Sequence, residues 1–438
     1  MNGEVEYNAA EIIQNKKSMK QKIIFIFLLL LAVVVCFCLW LRWDERIDPR
    51  VLKWQQSEIS YHSNYTQEPY FNLLGLNAAD RFSALNVGRY RYHQDWAFSL
   101  LGQEHQNVLG QPLNAKLTRE KWSEEQMNLV AEFQQLLVDD PKAASAFVVE
   151  HHQVLGALIQ QEKVPLQRFN TWLQHADQYR SLSMPSNSAY PDFKYLNQLA
   201  ILYQINIALN KEDKLDAYMA EYQRLQQMLE RPISLVERML IQSWLARYVR
   251  IIRNEQLKTG QVVYLEPLSA SQLSLRSAAQ LEAYGVYAVL KQVQQLSDWN
   301  TSLMYWLYLP NQTANQLFKQ YEEAAQLSEL SYDSFRMQAG QKQGQYSSWH
   351  IKNYLGNTLS NIEWVPWERY VLAGHILNDR IMIFNLLNQG ATDLMQLNQN
   401  SHGRRFFKKE GMLCAEVPYP REQFRAHNWN ILDSCVQL

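Results

Sequence analysis

Glycine and proline are scarce in this 438-residue chain, at 15 and 13 residues. Their scarcity argues against a long disordered linker and a glycine-rich phosphate cradle. A surplus of charge is missing too: 42 Lys and Arg stand against 43 Asp and Glu, a formal net charge of -1. Binding to nucleic acid through its phosphates needs a basic surface, so nucleic acid is excluded as a partner class. Recognisable catalytic motifs are absent as well. The chain has no G-x-S-x-G nucleophile elbow and no phosphate loop ending in Gly-Lys-Ser/Thr. Cysteine numbers only four, and two of these, Cys36 and Cys38, fall inside an apolar run.

That run is the strongest positive signal. Within KKSMKQKIIFIFLLLLAVVVCFCLWLRWDERIDPR, residues 16–50, every residue from Ile23 to Leu41 lacks charge and polar amide. At about 1.5 Å of rise per residue such a helix reaches about 28 Å, close to the hydrocarbon thickness of a bilayer. A secretory apolar core is shorter, about 7 to 15 residues, and is followed by small residues at the cleavage site. Here the exit reads CFCLWLRW, bulky throughout, and Val35 and Phe37 precede the two cysteines where lipoprotein processing takes Gly or Ala. The pattern predicts an uncleaved anchor over 23–41.

Lys16, Lys17, Lys20 and Lys22 precede the anchor, while Arg42, Arg46, Arg50 and Lys53 follow it, so the positive-inside count is nearly tied. Long domains translocate largely regardless of charge, and a short Lys-rich leader fits an N-terminus in the cytoplasm. Trp40 and Trp43 then sit at the far interface. Outside the anchor the only cysteines are Cys414 and Cys435. A bridge between them closes a loop of about twenty residues, worth about 3 kcal/mol in the chain-entropy model; two reduced, buried thiols are the alternative. A bridge persists only in an oxidising compartment, which places the large domain in the periplasm or otherwise outside the cytoplasm.

With 47% apolar residues the chain has ample material for a core, and its 12% aromatic share is read as packing in preference to glycan binding. Helical periodicity begins after residue 118. Ser123 with Gln126 forms a capping box ahead of Met127, Val130, Phe133 and Leu137. Asp140 and Pro141 open a second helix, with Phe147, His151, Val154 and Leu158 along one stripe. Leu215, Tyr218, Tyr222, Leu225 and Leu229 mark another. Leu235, Met239, Leu245, Tyr248 and Ile252 mark a longer one that stops before Gly260. Segments 275–297, 313–328 and 366–388 follow the same grammar, the last closed by Gly390.

The chain therefore reads as all-α: a short tail over 1–22, the anchor over 23–41, an irregular aromatic-rich segment over 42–118, a helical body over 119–392 and a loop-rich cap over 393–438. The body is expected to be an irregular antiparallel helical bundle or short helical-hairpin array; the signature of a 34-residue tetratricopeptide repeat is missing. Strands are expected only in the tail.

Candidate chemistry is thin. Glu150, His151 and His152 are consecutive, whereas a zincin needs two histidines four apart. His175 and Asp177 diverge on a helix. GQKQGQ at 340–345 reads as a turn. Cys414 would need a histidine to act as a nucleophile, and His427 is the nearest in sequence, so the bridge is preferred. Glu363 and Glu368 flank WVPW as a remote candidate pair for glycan cleavage. Most other carboxylates fall opposite the apolar stripes, as solvated residues do. No cofactor and no metal are expected.

The blocks NYTQEPYFNLLGLNAAD…VGRYRY, LYLPNQTANQLFKQYEEAAQLSE and WHIKNYLGNTLSNIEWVPWERYVLAGHILNDR resemble a family of uncharacterised single-pass, membrane-anchored envelope proteins of proteobacteria. The resemblance covers scattered blocks, the anchor among them, and implies a bacterial inner-membrane setting with no activity attached. Asn311, Asn353 and Asn357 within these blocks read as caps and turns. The expectation is an interaction or scaffold module held to the lipid bilayer through residues 23–41 and bound to an envelope protein. The alternatives are a glycan or peptidoglycan hydrolase and a small-ligand binder. An alkaline phosphatase fusion after residue 60 is expected to be active; an inactive fusion beside an active cytoplasmic reporter overturns this topology.

Overall fold

The computed structural model describes residues 3–53, 68–101, 117–182, 190–295, 308–338, 352–362, 367–390, 393–394, 398, 405–409, 411–416 and 435–438, and most of them are helical. The first helix, α1 (Gly3–Arg42), contains a 24-residue stretch, Met19–Arg42, of mean hydropathy 3.3, none of whose apolar window is buried. Among the described residues it is the one helix long and apolar enough to cross a membrane. A helix apolar on every side, without protein cover, fits single-pass anchoring.

The chain divides into two compact units, neither continuous in sequence. One comprises Met1–Val51, Gln292–Leu317 and Gln343–Trp364; the other comprises Leu52–Lys291, Phe318–Lys342 and Val365–Leu438. After α1 come α2 (Glu68–Leu74), α3 (Ala84–Leu101), α4 (Glu124–Asp139), α5 (Pro141–Glu150), α6 (His152–Gln161) and α7 (Lys163–Gln174). A 3-10 turn at Ala176–Gln178 precedes α8 (Phe193–Asn210), α9 (Lys214–Leu229), α10 (Leu235–Thr259), α11 (Ala270–Leu273) and α12 (Arg276–Gln295). The last helices are α13 (Pro310–Ser328), α14 (Tyr332–Gln338), α15 (Tyr354–Ile362) and α16 (Trp367–Asn388).

Local chemistry sets several of these boundaries. Ser123 and Gln126 form the expected reciprocal box at the start of α4. The Asp140 carboxylate accepts from the N–H groups of Lys142 and Ala143, with Pro141 at the first position of α5. Gly260, at φ 69°, ends α10 in the left-handed conformation that costs glycine nothing. The five residues of the α9 stripe, Leu215, Tyr218, Tyr222, Leu225 and Leu229, are all buried. They join one core with Trp244, Leu245 and Ile252 of α10 and Leu377, Ile381 and Phe384 of α16.

Two expectations need correction. The stripe Phe147–His151–Val154–Leu158 is not continuous, because the helix breaks at His151 and Val154 is exposed, while Leu155, Leu158 and Ile159 carry the core face of α6. The segment 42–118 is not irregular throughout, since α2 and α3 both lie in it. Glycine explains the second miss. A Cβ added at Gly88 would fall 1.8 Å from the Phe71 carbonyl oxygen, and one at Gly75 would fall 1.9 Å from that of Ala84. The two helices meet backbone to backbone, so the residues that read as turn formers are packing residues. Phe71 then meets Tyr92 edge-on, with ring centroids 5.3 Å apart.

From 261 to 269 the chain has no regular structure, yet α16 holds it in place. Asn378 Oδ1 accepts from the Leu268 N–H at 2.8 Å. Asn385 accepts from the Leu265 N–H at 2.9 Å and donates to the Leu265 carbonyl at 2.7 Å. Asn388 donates to the Val263 carbonyl at 2.6 Å. In the tail, β1 (Phe406–Lys409), β2 (Met412–Ala415) and β3 (Val436–Gln437) form an antiparallel sheet in that order, with Phe407 opposite Cys414 and Leu413 opposite Val436. Phe406, Leu413 and Val436 reach the core.

Gly88→Ala is expected to destabilise the unit by about 1–3 kcal/mol, read as a melting temperature several degrees lower in the detergent-solubilised protein. An unchanged melting temperature means that α2 and α3 do not cross there.

Candidate functional site

Where α1 ends at Arg42, the chain passes without regular structure from Trp43 to Asp48. In the same unit α13 begins, and a helix start leaves N–H groups without carbonyl partners. Each is accounted for. Pro310, at the first position, has no N–H to lose. Asp44 takes the next two, its Oδ2 accepting from Asn311 N–H at 2.9 Å and its Oδ1 from Gln312 N–H at 3.0 Å. Thr313 N–H is the first to bond within the helix, to the Leu309 carbonyl at 2.9 Å. A capping carboxylate is worth about 1 kcal/mol, and its charge at the positive helix end adds about 0.3–1 kcal/mol.

Asn311 and Asn315 extend the joint along α13. Asn311 Nδ2 donates to the Glu45 carbonyl at 3.0 Å. Asn315 Nδ2 donates to the Arg46 carbonyl and to Glu45 Oε1, both at 2.9 Å, while its Oδ1 accepts from Asp48 N–H at 2.8 Å. Six hydrogen bonds thus fasten the membrane exit to α13. Asp48 also pairs with Arg50 at 2.7 Å, and the Arg50 guanidinium, followed by its backbone N–H, holds the Asp48 carboxyl below the usual carboxylate range.

Asn353 secures the other side. It is fully buried at φ 55°, a conformation that Asn tolerates better than most residues. Its Oδ1 accepts from the Leu309 N–H at 2.8 Å and lies 3.2 Å from the Thr313 hydroxyl. Its carbonyl accepts from Asn357 N–H at 2.8 Å as α15 begins. A Cβ at Gly356 would fall 2.0 Å from Thr313 Oγ1 and 2.3 Å from Asn353 Oδ1, so the close approach needs glycine. Lys352 Nζ lies 5.5 Å from the Trp40 ring centroid, a cation–π contact at the end of the apolar helix. The arrangement positions: its carboxylates are engaged by N–H groups, an asparagine amide and Arg50.

The residues singled out from sequence are placed as follows. The sulfurs of Cys414, in β2, and Cys435, just before β3, lie 2.10 Å apart, at disulfide distance. His151 and His152 each turn Nδ1 to the backbone of the preceding turn, at Phe147 O and Val149 O respectively. His175 turns to Thr171 O at 2.7 Å, while Asp177 sits in the 3-10 turn. Glu368 lies in the first turn of α16. Glu363, His427 and residues 340–345 lie outside the described residues. Among the described residues no group of three His, Cys, Asp or Glu is arranged to hold a metal.

Sequence reasoning missed the buried carboxylates Glu162, Glu221, Glu237 and Asp379, having assigned carboxylates mostly to solvated faces. Glu237 accepts from the hydroxyls of Tyr179 and Ser181, and from the N–H and hydroxyl of Ser234 at 2.9 and 2.7 Å. Burial, and then the Glu237 charge, push the Tyr179 hydroxyl well above its usual pKa. The readable signal was the spacing Ser234-x-x-Glu237, a capping box.

Comparison with family models, curated proteins and solved structures finds no match to this chain. Asp44→Ala is expected to speed deuterium exchange at Asn311 and Gln312 about tenfold, the equivalent of about 1.4 kcal/mol. Unchanged exchange in the peptide covering the start of α13 would remove the clasp from consideration.

Proposed function

We propose that this protein is an interaction or scaffold module of the bacterial cell envelope, anchored once in the inner membrane with its N-terminus cytoplasmic and its body periplasmic. The observation that supports this reading is the clasp. Docking begins at Asp44, two residues after α1 ends at Arg42, so no flexible tether separates the apolar helix from α13. An enzyme that must range over a polymer is served by a linker. A module that presents a surface at a set height above the bilayer is served by a fixed joint.

The body in this reading is an irregular antiparallel bundle or helical-hairpin array, capped by the tail that Cys414 and Cys435 close. The bridge supports the periplasmic assignment, because disulfides persist in oxidising compartments. The partner is an envelope protein, and the bilayer contact runs through residues 23–41.

In-cell crosslinking of the full-length protein, followed by affinity purification and mass spectrometry, tests the proposal. The control carries the same anchor without residues 120–438. A stoichiometric envelope protein recovered only with the intact body is the expected result. Recovery of background alone, equal in both samples, overturns the scaffold reading.

A further inference from the structure

A cleft of about 400 Å³ opens in the second unit between the α4–α5 junction, α10 and the tail sheet. Its volume falls within the range of small-molecule sites, about 300–1,000 Å³. Among the described residues its charged groups are Asp139, Asp140 and Lys142 at the junction and Arg250 and Arg253 on α10; Cys435 lies in the wall. The two arginines are three residues apart, hence on one helix face.

Arg253 is held by neutral groups. Its Nε donates to the Gln437 carbonyl at 3.1 Å and its Nη1 to Asn388 Oδ1 at 2.8 Å. Asn388 is itself fixed by its bond to the Val263 carbonyl. Among the described residues no carboxylate stands within salt-bridge distance of Arg253. Burial alone lowers its pKa, with no opposing carboxylate. A guanidinium carries five N–H donors, and among the described residues two bonds engage only two of them. The acids of the cleft serve other partners: Asp139 accepts from Gln135 at 2.6 Å, and Asp140 caps α5. Both are exposed, whereas Arg250 is buried. A half-buried cation, positioned by amide groups and without an acidic partner among the described residues, is completed by an acceptor with negative charge.

We infer that this cleft binds the oxyanion group, carboxylate or phosphate, of a small ligand, with Arg253 as its principal contact and Lys142 at the rim. The inference is independent of the scaffold reading. Isothermal titration of the detergent-solubilised full-length protein with inorganic phosphate and with succinate separates the two chemistries. Saturable binding of one or both probes is expected, and the tighter probe identifies the group. Arg253→Met is expected to weaken that binding about tenfold or more, the effect of losing hydrogen bonds to a charged group. Lys142→Ala, at an exposed position, is expected to weaken it roughly twofold to fivefold without altering the melting curve. Absence of binding by both probes overturns the site. So does affinity that is unchanged in a folded Arg253→Met protein. Should that variant fail to fold, unchanged affinity in Lys142→Ala decides against the site.

Discussion

The first turn of α13 offers two N–H groups that no carbonyl of its own helix can satisfy, and the carboxylate that answers them lies 267 and 268 residues earlier in the chain. Both groups are part-buried, and a capping side chain at such a helix start is worth about 1 kcal/mol. That gain ties the end of the apolar helix to α13, since one carboxylate serves both donors. The rest of the joint follows from the same requirement. Asn353 adopts a left-handed conformation to bring its amide oxygen to the Leu309 N–H, and Gly356 keeps the space that this demands.

The same constraint organises the second unit. Arg238 is buried and serves carbonyl groups: its Nη2 donates to the Leu229 carbonyl at the end of α9, and its Nη1 to the Gln272 carbonyl in α11, at 2.7 and 2.6 Å. One guanidinium thereby serves carbonyls in two helices, where positive charge is favoured near a C-terminus. Burial pushes its pKa down to about 10, which leaves it protonated at neutral pH. Arg168 does comparable service for the connection between α2 and α3, donating to the Ala78 carbonyl at 2.5 Å and the Phe82 carbonyl at 2.7 Å. Charge in these places, buried at Arg238 and half-buried at Arg168, satisfies backbone carbonyls at helix ends and in the connection.

Legibility in the sequence follows the range of each interaction. Ser123 with Gln126, Asp140 with Pro141, and Gly260 act within one helical turn, so their residue types announce the boundaries. The apolar helix and the stripe of α9 are equally local. The crossing of α2 and α3 was hidden because glycine creates it by omission, and an omitted side chain leaves no periodic trace. The clasp was hidden for a different reason. Asp44, Asn311 and Asn353 each look like ordinary turn residues, and only the fold brings them together. Arg253 was equally opaque, since its partners, Asn388 and the Gln437 carbonyl, lie 135 and 184 residues away. The buried carboxylate of Glu237 was half legible: its capping box is local, while Tyr179 and Ser181 are not.

Asparagine recurs at these long-range contacts because of what its side chain is. An amide presents one acceptor and one donor group, which matches a peptide unit, whereas a carboxylate only accepts. Asn385 bonds both the N–H and the carbonyl of Leu265, as a neighbouring strand would. Asn315 does the same for Arg46 and Asp48, accepting from one and donating to the other. Asn388 reaches a carbonyl with its donor and Arg253 with its acceptor. Aspartate meets donors only, as Asp44 meets the two N–H groups of α13 and Asp140 meets two of α5, although Asn353 and Asn378 also serve an N–H through the amide oxygen. Where both an N–H and a carbonyl must be met, the amide therefore does what a carboxylate cannot, and the segments so held, 43–48 and 261–269, keep a defined course without helix or sheet.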